Sequence, residues 1–272
     1  MAEGEHRKRV KEEVKEEEEE EEEQQDGGDE LLQHPCNPVV GDNPHTLILG
    51  SFPSTKSREK QQFYGNPTNS FWRIAVSWLY PEGTDAKALS YAEKRDRLPQ
   101  HGFALWDVVA SCVCDNDSSD ASIRKDVPNL HLRDIIQDNP SIRRVLFNGT
   151  MSMQKFREHF GGWMETKRRQ GWTFTYGCDA TEKEFTKKRR KTKQEEKREE
   201  GAVKEGEGEG VGVEEREVDL CLMPSTSGRA AHLTYQEKRH KWWDKCYSFA
   251  TPAQQHNHHE EPLELAIFVE QE

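Results

Sequence analysis

The sequence predicts a three-layer α/β/α sandwich around a mostly parallel, four-stranded central sheet. Three observations carry this expectation. Short apolar runs bounded by turn residues recur along the chain, as buried strands do. Segments with helical apolar spacing alternate with them, the signature of a parallel sheet with covering helices. Both patterns are confined to residues 34–257, between two acidic ends.

Leu47–Gly50 is the first strand, a bounded apolar run. Phe71, Trp72, Ile74, Ala75, Trp78 and Leu79 then recur at helical spacing, and the helix starts near Asn69 or Ser70, just past Pro67. A charged helix is expected from Lys87 to Arg97. "GFALWDVVAS" (102–111) reads as a second strand, or a strand plus turn. "NLHLRDIIQDNP" (129–140) reads as a helix stopped by Pro140, and "IRRVLFNG" (142–149) as the third strand. "TMSMQKFREHF" (150–160) is the helix after it, and "GWTFTYG" (171–177) is strand-like. "VDLCLMPSTS" (218–227) is the fourth strand running into a turn, and "TYQEKRHKWWDKCYSF" (234–249) is the last helix. In open α/β sheets ligands bind at the carboxyl ends of the strands. Four such ends, "GSFPS", "LWDVV", "FNGT" and "MPSTSGR", are expected to meet in one crevice.

The 272-residue chain carries a net charge of −12, but unevenly. Residues 1–33 contain "EEVKEEEEEEEE", which has too little apolar surface to offset ordering entropy and is expected to be a disordered tail. Residues 179–218, a basic block followed by Gly-Glu repeats, read as a disordered charged insertion, and 258–272 as an acidic C-terminal tail. What remains is long enough for one single-core domain. Counted as Lys and Arg against Asp and Glu, 34–178 carries +3 and 219–257 carries +2. The acidic total therefore does not argue against a nucleic-acid partner.

Cys36, Cys112, Cys114, Cys178, Cys221 and Cys246 form no C-x-x-C pair, so neither a zinc site nor an iron–sulfur site is expected. No secretory leader is expected, and the sequence contains no apolar run of membrane-spanning length. Free thiols fit a reducing compartment. Lys187-Lys188-Arg189-Arg190-Lys191 fits a nuclear import signal, with cytoplasm or mitochondrion left open.

"LILGSFPS…QQFYGNPTNSFW", "GFALWDVVASC", "VLFNGT" and "LMPSTS" occur in that order. Together they resemble the uracil-DNA glycosylase superfamily, most closely its hypoxanthine-DNA glycosylase branch. The resemblance spans the foldable part of the chain and omits the tails and the insertion. It implies a uracil-DNA glycosylase-like fold and a monofunctional enzyme that flips a deaminated base from DNA and hydrolyses its N-glycosidic bond. Hypoxanthine is the implied substrate, with uracil as a second, and the partner is DNA containing such a base. A monomer needing no cofactor and no metal is implied. A module of the same fold that has lost catalysis and kept damage binding is the alternative.

Residue by residue, the resemblance assigns the following. Tyr64 matches a position where related enzymes stack an aromatic on the base, and Phe52 offers a second wall; either ring can instead be plain core. Phe52 also stands where classical members place the carboxylate that assists water. Asn69 matches an asparagine implicated in catalysis, whose carbonyl can orient a water; it is equally placed to cap the following helix. Asp107 falls where classical members read the base edge, and a carboxylate there can accept the N1–H of hypoxanthine; a turn-capping Asp is the other reading. Asn148 either lines the pocket or forms a turn with Gly149. Ser225, Thr226, Ser227 and Arg229 match a minor-groove loop that holds the opened strand; an ordinary Ser/Thr turn is the alternative. Met223 replaces the histidine of classical members, and Gly228-Arg229-Ala230 departs from the branch's usual Pro-Ala-Asn. No lysine stands out as a Schiff-base nucleophile.

Overall fold

The computed structural model of this chain describes residues 31–114, 123–177, 215–230 and 232–247. In chain order the elements are β1 (Leu31–Gln33), β2 (Thr46–Gly50), α1 (Thr55–Lys60), α2 (Phe71–Leu79), α3 (Tyr91–Gln100), β3 (Phe103–Asp107), β4 (Val109–Cys114) and β5 (Ile123–Pro128). They continue with α4 (His131–Asp138), β6 (Arg144–Asn148), α5 (Thr150–Arg169), β7 (Trp172–Tyr176), β8 (Arg216–Met223) and α6 (Tyr235–Tyr247).

The central sheet is wholly parallel, in the order β3-β2-β6-β8-β7. It has five strands where four were expected. The fifth is β7, whose Trp172 and Phe174 alternate inward and pack against Trp163 of α5. Leu47–Leu49, Val145–Phe147, Val218 and Leu220 are buried throughout, because both faces of the sheet are covered. The alternation along β6 shows the two layers. Phe147 points to one face and meets Phe156 of α5, 5.1 Å between ring centroids. Arg144 points to the other and donates to the Lys245 carbonyl of α6 at 2.8 Å. Trp163 ties α4 to the α5 layer through Gln137, and Trp78 of α2 stacks on Trp242 of α6.

A second, antiparallel sheet runs β1-β4-β5. The segment 102–111 therefore holds two strands, and the chain changes sheets at Val108. The Val108 and Val109 N–H groups donate to the Gly50 and Ser51 carbonyls as the chain leaves β3. α5 also runs past its expected stop at 160, because Phe156, Phe160 and Met164 continue one buried stripe across Gly161-Gly162.

Two boundaries move. Residues 31–33, expected to belong to the disordered tail, form β1 and pair with Ser111–Val113. Residues 216 and 217, expected to belong to the insertion, begin β8. Arg216 reads as surface charge in the sequence, yet it is buried. Its guanidinium donates to the Asn139 and Ile142 carbonyls and lies over the Trp172 ring. The expected disorder of 1–30, of the rest of the insertion with its basic block, and of the C-terminal tail falls outside the described residues. Among the described residues no helix is long and apolar enough to cross a membrane.

Candidate functional site

The carboxyl ends of β2, β3, β6 and β8 lie side by side, and the loops after them build the site. After β2 the chain makes α1, which the sequence reading missed, and turns out of it at Gln61 in the left-handed region (φ 51°). Tyr64 adopts the same region (φ 52°), a conformation that costs a non-glycine residue energy. The surroundings hold it there. Phe63 is buried, its N–H donates to the Tyr91 hydroxyl, and its carbonyl accepts from Trp72 Nε1 at 2.7 Å. The Tyr64 ring packs on Phe71 with centroids 4.1 Å apart.

Asn66 Oδ1 accepts from the Thr68 N–H and hydroxyl, and the Asn69 N–H closes the turn on the Asn66 carbonyl. The side-chain carbonyl of Asn69 accepts the Phe71 N–H at 2.9 Å. That bond fixes the Asn69 amide one residue ahead of the N-cap, Ser70, at the start of α2. Asn69 and Tyr64 both line one open groove of about 1810 Å³. Its far wall comes from α6, where Tyr235 lies under the Arg73 guanidinium at 3.6 Å and Trp243 near that of Arg239 at 5.9 Å.

The loop after β8 is clamped from three sides. Asn148 donates its amide to the Thr226 hydroxyl at 2.8 Å and accepts the Thr226 N–H at 2.9 Å. The Thr226 carbonyl accepts from the N–H and the hydroxyl of Ser70, next to Asn69. Lys238, itself buried, donates to the Ala230 and Ser227 carbonyls, and Trp242 donates to that of Pro224. Two expectations are corrected here. Thr226 is completely buried, so its hydroxyl is an internal acceptor and not a phosphate contact. Asn148 spends its amide on Thr226 and is the loop's clamp, not a pocket wall. Ser225 and Ser227 stay half-buried at the rim and Arg229 is exposed. Gly228 backs onto Thr68, where a Cβ would come within 2.8 Å of the carbonyl oxygen, so the loop needs glycine there. Met223 is buried core.

Asp107 ends β3 directly beside Gly50 in the parallel register. Its side chain is 5% exposed, and Oδ2 pairs with His34 Nε2 at 2.8 Å. A methyl group on Gly50 would run into Asp107 Oδ1 and stand 3.0 Å from the Tyr64 hydroxyl. Asp107 Oδ1 and the Tyr64 hydroxyl thus both lie beside Gly50 at the strand end, and of the two residues Tyr64 lines the groove. Phe52 is half-buried, lies edge-on to His34 at 6.1 Å and has the Arg58 guanidinium 5.6 Å above it. His34 is the residue that sequence reasoning missed. Its signal was faint: one histidine in "QHPC" where the acidic tail gives way to foldable chain. Burial and the nearby Asp107 charge push the Cys36 thiol up to about 11, so it stays a thiol at neutral pH.

The strand ends thus gather an aromatic face, a helix-anchored amide, a hydroxyl-bearing loop and a buried carboxylate. Two proteins from Methanosarcina are similar to this chain. The hypoxanthine DNA glycosylase of Methanosarcina barkeri is 34% identical over 116 residues, which is 42% of this chain and 70% of that protein. The hypoxanthine DNA glycosylase of Methanosarcina acetivorans is 34% identical over 113 residues, 41% of this chain and 67% of that protein. A solution structure of a candidate uracil DNA glycosylase from Methanosarcina acetivorans aligns at 20% identity and a TM-score of 0.48, over 79% of this chain and 96% of its own. No family model matches the chain. The class is that of the DNA glycosylases, hydrolases acting on N-glycosyl bonds. Within that class, the chain belongs to the hypoxanthine DNA glycosylase family.

Proposed function

We propose that this chain releases deaminated bases from DNA as a monofunctional hydrolase, with hypoxanthine the main substrate and uracil a second. The carrying observation is the placement of Asn69 and Tyr64 on one groove, with the Asn69 amide held by the first turn of α2. Tyr64 stacks on the flipped base, which repays part of the few kcal/mol that flipping costs. Asn69 orients the attacking water through the free lone pair of its carbonyl. An amide is no general base at neutral pH, so this serves a reaction in which bond breaking runs ahead of water attack, through an oxocarbenium-like state. Asp107 accepts the N–H of the base edge through Oδ1. Ser225, Ser227 and Arg229 meet the opened strand at the rim, and the groove towards Arg73 and Arg239 carries its flank. The chain acts as a monomer on nuclear DNA, a reading that the basic block at 187–191 supports.

The second reading is a binding module without catalysis. It is favoured by Met223, which is sealed in the core and cannot assist a leaving base. One experiment separates the two: base release from duplexes with a single deoxyinosine or deoxyuridine, with alkali cleaving the abasic product. Wild type releases hypoxanthine and Asn69→Ala does not, while both bind the duplex. Binding without release by wild type establishes the module instead. Release from deoxyuridine alone keeps a glycosylase and overturns the substrate.

A further inference from the structure

We infer that His34 is a positioning residue for base recognition, holding Asp107 so that a single carboxylate oxygen faces the strand end at Gly50 and Tyr64. The inference rests on the reading of Asp107 as the base-edge acceptor.

The chain invests an element in this contact. β1 is three residues long, and the His34 N–H then donates to the Ala110 carbonyl of β4 at 2.8 Å. That pairing delivers the imidazole to the carboxyl end of β3. Its Nδ1 lies 3.2 Å from the Cys36 N–H nitrogen and 3.1 Å from the Cys36 carbonyl oxygen, so the Cys36 backbone anchors that edge. When Nδ1 accepts from Cys36, Nε2 carries the proton and donates to Asp107 Oδ2. The ring is wedged among Trp106, Phe63 and Phe52, at centroid distances of 5.0, 5.6 and 6.1 Å. Packing of that kind leaves the imidazole one orientation.

On the other side, Gly50 has no Cβ, and Oδ1 lies against its backbone near the Tyr64 hydroxyl. The two oxygens therefore have different surroundings. Oδ2 is held by His34, and Oδ1 is turned to Gly50 and the Tyr64 hydroxyl. A carboxylate free to rotate would offer the base an acceptor in many geometries; this one offers a single acceptor at a set place, as a preorganised site requires.

The test is single-turnover release of hypoxanthine from a deoxyinosine duplex, with affinity for an abasic duplex and a thermal melt measured alongside. His34→Gln keeps a donor at the Nε2 position and holds the rate within about threefold of wild type. His34→Phe keeps the ring but removes the donor, and lowers the rate about 10- to 100-fold. His34→Asn reaches Cys36 but not Asp107, and gives the same loss without an apolar ring beside the carboxylate. Abasic-duplex affinity stays unchanged in all three. His34→Asn combined with Asp107→Asn releases base no more slowly than Asp107→Asn alone. Wild-type rates in His34→Phe or His34→Asn, or losses that multiply in the double variant, overturn the inference and leave the base-reading role of Asp107 standing. A wild-type rate in Asp107→Asn overturns both together.

Discussion

Asn69 has two duties that substitutions can separate. Its side-chain carbonyl ties down the first N–H of α2, and the residue lines the groove. Asn69→Asp keeps a capping oxygen, whereas Asn69→Ala loses it. We expect Asn69→Ala to lower stability by about 1 kcal/mol and base release by at least about 100-fold. Asn69→Asp should melt like wild type, so comparing melting curves with release rates divides the two roles. Gly50 makes the neighbouring demand. Gly50→Ala pushes a methyl into Asp107 and should cost about 1–3 kcal/mol together with most of the activity, read by thermal melts and the same release assay. At this scale the sequence pointed to Asn69 and Tyr64 because each is chemically distinctive and next to a turn, and the structure brings both to one groove. It was silent on His34 and on the bond between Asn148 and Thr226. Those three act through partners 73 to 78 residues away, and no local spacing reports such a bond.

Buried runs such as Leu47–Leu49 and Val145–Phe147 announced their strands, because a strand covered on both faces is apolar without interruption. β1 and β7 were harder to see, since short edge strands carry weak patterns. α1 is a six-residue helix of mostly charged residues and has no apolar stripe to read. The loop after β8 shows how elements hold one another. Thr226→Val removes the hydroxyl that Asn148 donates to and leaves that N–H without its acceptor. The expected cost is about 1–3 kcal/mol, with faster amide exchange across 224–230 in hydrogen-exchange measurements. A second link joins β5 to α5: Asp126 receives Lys155 and His159, both at 2.5 Å. Burial alone would raise the Asp126 carboxyl, but these two donors outweigh it and hold it below the ordinary range. Its contribution is complete above the unfolded carboxylate value of about 3.9 and drains away as pH falls through the lower folded one. Asp126→Asn should therefore be less stable than wild type at pH 7, and the gap should close as denaturation is followed down to about pH 2.

For the whole molecule, charge is divided by region. Residues 1–30 carry −10, while the foldable regions are positive. DNA affinity should fall steeply with salt, as counterion release requires. Deleting residues 1–30, which spares β1, should tighten duplex binding several-fold at low salt, and the gain should fade by about 1 M salt as screening shortens the Debye length to about 3 Å. Fluorescence anisotropy of the two forms across a salt series checks both statements. The parallel sheet with its covering helices was legible because alternating strand and helix patterns permit few topologies.

The sheet order also bears on how this chain tolerates change. β7 and β8 are parallel neighbours, so the chain that joins them must travel from the carboxyl end of one to the amino end of the other. A crossover of about a dozen residues suffices for that return, and the chain between Tyr176 and Arg216 far exceeds it. Chain length alone therefore does not dictate the β7–β8 register. Shortening the connection towards that minimum is expected to leave the register in place, which a thermal melt of the shortened form checks.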